Sequence, residues 1–110
     1  MPQPRYYIYL LKLTGDAGAS VSDLEAYLSE IREAWVTLGG GDLQLFVTLG
    51  VYDAVAIGTM ADEPKAAAFA MYLAREDLFQ TVTMRAYPDD QVGAVVEYMA
   101  PLPTILPVRH

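Results

Sequence analysis

Apolar and polar positions alternate in three stretches of this chain, which predicts β-strands there. Residues 6–13 and 79–87 are rich in aromatic and β-branched side chains, and each is followed or preceded by turn-forming residues. Residues 43–57 hold two apolar runs on either side of a turn that contains Gly50 and Asp53. This arrangement predicts a β-hairpin, so the chain is expected to contain four strands in total.

Apolar positions three and four residues apart predict helices between these strands. The first helix is expected over about residues 22–38, with Ser22 and Glu25 spaced as a capping box and the glycines at 39–41 ending it. The second is expected over 65–75, where alanines allow close packing on a sheet. Strand, helix, strand, strand, helix, strand is the order that results.

This order predicts an α+β ferredoxin-like βαββαβ fold, with an antiparallel sheet of four strands and both helices on one face. Alternation along the strands then divides their side chains between the two faces. The residues expected to face the helices are Tyr7, Tyr9, Leu11, Leu45, Val47, Val55, Ile57, Val82 and Met84. The residues expected on the open face are Tyr6, Ile8, Leu10, Lys12, Gln44, Phe46, Thr48, Ala54, Ala56, Gly58, Met60, Thr81, Thr83, Arg85 and Tyr87.

The predicted open face is too apolar for water and too polar for a continuous core. Such a composition is typical of a place where two subunits close a cavity lined by their sheets. A twofold homodimer that pairs identical faces is the simplest arrangement, and larger homo-oligomers remain open. The composition also favours a buried interface between subunits, because 54% of the residues are hydrophobic and eight are tyrosines.

Composition also excludes several classes of function. The net charge is −7 and the seven basic residues are scattered, so nucleic acid is not an expected partner. No cysteine is present, which excludes disulfide scaffolds, cysteine-ligated metals and thiol catalysis. The amino terminus lacks the features of a secretory signal, and no apolar run reaches about 20 residues. We therefore expect one cytoplasmic domain with no membrane partner.

Two segments of the chain resemble a known protein family. Residues 45–57, together with residues 11–14, resemble the GYD domain family. The residues that match the glycine, tyrosine and aspartate of its name are Gly50, Tyr52 and Asp53. The resemblance implies the fold of the dimeric α/β barrel superfamily and a bacterial or archaeal origin, but no settled activity.

The resemblance extends over most of the chain in outline. Residues 61–68 resemble the family's acidic loop and alanine-rich helix, and residues 83–86 resemble its last strand. On this basis residues 1–90 are expected to form the GYD-like domain. Residues 91–110 are expected to form a short C-terminal helix, over about 90–99, and a proline-rich tail that packs on the domain or on a neighbouring subunit.

Four residues are candidates for ligand binding. Tyr52 and Asp53 lie at the mouth of the hairpin turn, where a phenol and a carboxylate offer hydrogen bonds to a polar ligand, although a purely structural role is favoured. Lys12 and Arg85 are both expected on the open face, where they would bind an anion or act as ordinary charge partners. No catalytic residue can be assigned.

Metal ions and cofactors are not expected. His110 is the only histidine and is the last residue, and the carboxylates lie mainly at predicted helix ends. Two functions remain open. One is a non-catalytic scaffold or binding protein for a small amphipathic molecule. The other is a cofactor-independent monooxygenase-like enzyme acting on an aromatic or polyketide-type substrate, an alternative that rests on fold analogy.

Overall fold

A computed structural model describes residues 5–14, 23–75 and 78–105 of the chain. Its elements are β1 (Arg5–Leu13), α1 (Leu24–Thr37), β2 (Leu43–Val47), β3 (Ala54–Met60), α2 (Glu63–Ala74), β4 (Phe79–Ala86), a 3₁₀ turn (Asp89–Gln91) and α3 (Val92–Met99). The four strands form one antiparallel sheet in the order β2-β3-β1-β4. The predicted ferredoxin-like α+β fold is thereby confirmed.

Local signals explain where the helices begin and end. Gly39 adopts a φ of 82°, a left-handed conformation that terminates α1 as the glycine run predicted. Pro64 occupies the first turn of α2, where a missing N–H costs nothing. Asp23 precedes α1 without a side-chain cap hydrogen bond, and the predicted capping serine, Ser22, lies outside the described residues.

The core lies between the sheet and the two long helices, and aromatic rings dominate it. Trp35 from α1, Phe69 from α2 and Tyr9 from β1 are fully buried and meet edge to face, with ring centroids 4.8 to 5.9 Å apart. The Tyr9 hydroxyl donates to the carbonyl of Ala66 at 3.0 Å. Burial, with a smaller contribution from the neighbouring Tyr7, raises the pKa of the Tyr9 phenol far above its usual value.

The two faces of β1 and β2 agree with the prediction, but the assignment for β3 was wrong by one residue. Ala54, Ala56 and Gly58 face the helices, because they pair directly with Leu11, Tyr9 and Tyr7 of β1. Small residues occupy this face of β3 because the indole of Trp35 lies against it. A Cβ atom added to Gly58 would lie 2.7 Å from Trp35 Cζ2 and 2.9 Å from Leu43 Cδ1, so only a very small residue fits beneath the ring.

The assignment for β4 was also shifted by one residue. Phe79 is buried under the helices and pairs with Leu13, which fixes the alternation of the whole strand. Arg85 pairs with Tyr7 and therefore lies on the helix side, whereas Val82 and Met84 lie on the open face. The prediction that placed Arg85 on the open face was accordingly wrong.

Candidate assembly and ligand-binding face

The corrected register makes the open face much more apolar than the sequence suggested. Its large apolar side chains come from all four strands and form one continuous patch. These side chains are Ile8, Leu10, Phe46, Val55, Ile57, Val82 and Met84. Phe46, Val82 and Met84 are 41 to 50% exposed, and no described helix covers the patch. Lys12 is the one charged strand residue on this side of the described sheet.

A hollow of about 220 Å³ opens at one end of this face. Its lining residues are Tyr6, Asp42, Gln44, Ile57, Gly58 and Thr59. Backbone hydrogen bonds fix its shape, because the Gly41 N–H donates to Thr59 O at 2.8 Å and the Thr59 N–H donates to Asp42 O at 3.1 Å. The hollow thus combines hydroxyl, amide and carboxylate groups with an adjoining apolar surface. Asp42 and Thr59 were not among the predicted site residues, since neither belongs to a recognisable motif.

Asp53 is held by the strand next to it. Its Oδ2 accepts a hydrogen bond from the backbone N–H of Leu13 at 2.8 Å, and its own N–H donates to Leu11 O at 2.8 Å. The carboxylate therefore extends the pairing between β1 and β3 beyond the last ladder residue. The Tyr52 carbonyl accepts from Thr48 Oγ1 at 2.7 Å, which closes the hairpin loop. The bond of the carboxylate supports a structural role for Asp53, whereas Tyr52 contributes only its backbone carbonyl to these bonds and the role of its phenol stays a prediction.

The structure does not bring Lys12 and Arg85 together. Lys12 is exposed on the open face opposite Gln80, and Arg85 lies five residues further along β4, or about 17 Å, on the other face. The Arg85 guanidinium packs on Tyr87, with Cζ 4.3 Å from the ring centroid, and donates to the backbone carbonyls of Tyr6 and Ala86. Arg85 thus secures the end of β4 and does not share a site with Lys12.

A groove between α1 and α2 is a second concave region, on the opposite side of the sheet. It consists of two connected hollows of about 250 and 440 Å³, which share Glu30, Tyr72 and Arg75. The guanidinium of Arg75 lies 4.2 Å from the Tyr72 ring centroid and is thus already engaged within the groove. No sequence motif indicates this groove, because its walls come from two helices that are far apart in the chain.

Two further classes of site are absent from residues 5–14, 23–75 and 78–105. No group of three or more histidine, cysteine or acidic residues in these ranges could hold a metal ion. None of the helices in the same ranges is long and apolar enough to span a membrane.

A comparison with models of protein families identifies the family of this chain. The GYD domain family matches residues 7–96, which include all of the sheet but the first two residues of β1, both long helices and the first part of α3. A search among proteins of curated function found no match. The family match covers most of the chain and agrees with the resemblance carried by Gly50, Tyr52 and Asp53. The chain therefore belongs to the GYD domain family.

Proposed function

We propose that the protein is a non-catalytic homodimer that pairs its open sheet faces and binds a small amphipathic molecule between them. The observation that carries this proposal is the patch of seven large apolar side chains on the uncovered face. Monomeric proteins rarely leave a continuous apolar surface of this kind in water. A twofold axis in the plane between two copies would cover both patches at once.

The hollow beside Thr59 supports the ligand part of the proposal. Its polar rim, formed by Tyr6, Gln44, Thr59 and Asp42, would face the polar end of a ligand, and the patch around Ile57 would face its apolar end. Mixed lining of this kind favours a small amphipathic molecule over a sugar or a nucleotide. The lining holds no histidine, cysteine or lysine beside its hydroxyl and carboxylate groups, and binding without catalysis is the function that we propose for it.

Sedimentation velocity at micromolar concentration tests the assembly. We expect a species of twice the 12.1 kDa of one chain. Met84→Asp places a charge in the proposed interface, and we expect it to yield monomers, because an unpaired carboxylate would be desolvated on association. Met71→Asp is the matched control, since Met71 is exposed on α2 and away from the sheet face. A wild-type monomer, or equal effects of both substitutions, would refute the dimer.

Thermal-shift measurements with a defined probe set test the ligand. The set contains decanol, 1,4-naphthoquinol and anilinonaphthalenesulfonate. We expect at least one of them to stabilise the wild type, Thr59→Val to reduce the shift, and Tyr72→Ala in the helix groove to leave it unchanged. Loss of the shift only in Tyr72→Ala would move the site to the groove. Oxygen consumption with the quinol would favour the monooxygenase alternative.

A further inference from the structure

The C-terminal segment is the most apolar exposed part of the described chain. We call residues 89–105 the arm; they comprise the 3₁₀ turn, α3 and the start of the tail. The arm's large apolar side chains are 41 to 95% exposed, and no residue of α3 is buried. These side chains are Val92, Val95, Val96, Tyr98, Met99, Leu102 and Ile105. An apolar stripe on a helix of this kind is normally covered.

A second exposed apolar cluster lies at the edge of the sheet. We call Val47, Leu49 and Val51 the β2 margin. Leu49 is fully exposed and Val51 is 72% exposed, and both belong to the hairpin loop beyond the end of β2. Because β2 is an edge strand, nothing in the described chain lies beside it. The arm starts at the opposite edge, after β4, and at the other end of β1.

The area of the sheet faces indicates that a dimer needs more than these faces. Four strands about 4.8 Å apart and about seven residues long make a face of roughly 450 Å², so two faces bury roughly 900 Å². Specific, stable interfaces bury about 1,200 Å² or more. The exposed fractions of the arm's apolar residues correspond to about 800 Å², so two arms that each bury about half of it, with their receiving surfaces, would add roughly 1,600 Å².

We infer that the arm of each subunit docks on the β2 margin of a second copy of this chain. The inference rests on the proposed dimer, in which the partner's sheet occupies the open face and the β2 margin stays uncovered. It commits the arm to a neighbouring subunit, one of the two positions that the sequence left open.

Charge complementarity agrees with this placement. The arm carries Asp89, Asp90 and Glu97 and no basic residue. Lys12, the charged strand residue of the open face, lies at the same end of the sheet as the hairpin loop. An acidic segment at this end of the sheet would therefore lie near one cation, two strands or about 10 Å from β2, and the carboxylate of the loop itself, Asp53, is already hydrogen-bonded to the Leu13 N–H.

Cross-linking of full-length single-cysteine variants tests the inference directly, because the natural chain has no cysteine. Val95→Cys marks the arm and Val51→Cys marks the β2 margin. When differently tagged subunits of the two variants are mixed and treated with a short bis-maleimide, we expect a covalent heterodimer. Val95→Cys mixed with Met71→Cys is the matched control, and we expect at least tenfold less heterodimer from it, since Met71 lies on α2.

Each other outcome of this experiment has a defined meaning. A cross-link between two Val95→Cys arms, or a cross-link within one chain of the Val95→Cys, Val51→Cys double variant, would overturn the inference. A dimer in sedimentation that gives no arm-to-margin cross-link would overturn the inference and leave the proposed function intact. A wild-type monomer would refute the proposed function itself.

A charge substitution provides an independent measurement. Val96 lies on the apolar stripe of α3, whereas Ala94 lies on the opposite side of the helix. We expect Val96→Asp to raise the dimer dissociation constant at least tenfold and Ala94→Asp to change it less than twofold. Equal effects of the two substitutions would contradict docking through the stripe.

Discussion

Replacement of Asp53 by alanine tests whether the aspartate of the GYD motif has a structural role. The change would remove the acceptor of the Leu13 N–H and leave that half-buried donor unpaired. The two backbone hydrogen bonds of Asp53, to Leu11 and from Thr48, do not depend on its side chain and would remain. The expected loss is therefore that of one charge-assisted hydrogen bond, about 2 kcal/mol of unfolding free energy.

The magnitude can be measured by urea unfolding, followed through the emission of Trp35. This is the only tryptophan, and it is fully buried, so its emission reports on the core. A loss of about 2 kcal/mol corresponds to a melting temperature roughly 10 °C lower for a domain of this size. Asp53→Asn keeps an oxygen acceptor and should lose about half as much.

Asp62→Ala is the matched control for this measurement. Asp62 also precedes a regular element, at the start of α2, but makes no side-chain cap hydrogen bond, so we expect a change of about 0.5 kcal/mol. An Asp53→Ala protein as stable as the wild type would refute the structural role. If such a protein also failed to bind the probe set, Asp53 would become a ligand-binding residue.

Two further pairs of variants test the core. Gly58→Ala should destabilise the protein by about 2 kcal/mol, because its Cβ atom would press against Trp35. Gly93→Ala should not destabilise the protein, because open space surrounds Gly93. Thermal unfolding compares the two variants, and equal stabilities would contradict the close packing at Gly58. Tyr7→Phe should be neutral or stabilising by about 1 kcal/mol, because the buried Tyr7 hydroxyl has no partner among the described residues. Tyr9→Phe loses a hydrogen bond and should cost about 1 kcal/mol of unfolding free energy at pH 7. The reverse order of stabilities in urea unfolding would contradict this assignment. Since the pKa of Tyr9 is raised in the folded state, its contribution is complete below the unfolded value near 10 and declines at higher pH, so between pH 9 and 11 the wild type should lose about 1 kcal/mol more than Tyr9→Phe; parallel losses would refute the shift.

The order of the elements could be predicted from the sequence because each strand and helix carries its own period. The helix ends at Gly39 and Pro64 are local signals of the same kind. The faces of β1 and β2 followed correctly from alternation. The faces of β3 did not, because hydrophobicity favours Val55 and Ile57 for the core, whereas the space beneath Trp35 admits only small residues. Size complementarity between distant elements decided the orientation, and alternation alone cannot show it.

The candidate site was less accessible from the sequence for the same reason. The partner of Asp53 is a backbone group of β1 that no motif reveals. The separation of Lys12 from Arg85 depends on the register between β1 and β4, and that register is fixed by the burial of Phe79. The hollow beside Thr59 depends on how the segment before β2 lies against β3. These relations join residues far apart in the chain, where a single sequence carries little signal.

The central position of β1 has a consequence for synthesis on the ribosome. β1 is synthesised before both of its neighbours, β3 and β4, and Tyr6 pairs with Ala86, which follows 80 residues later in the sequence. The β2–β3 hairpin can form as soon as it leaves the exit tunnel, but β1 keeps one hydrogen-bonding edge unpaired until β4 has been synthesised. Nascent chains that stall before β4 would therefore expose the unpaired edge of a tyrosine-rich strand. Slow elongation at this point would favour incorrect strand pairing between nascent chains on neighbouring ribosomes.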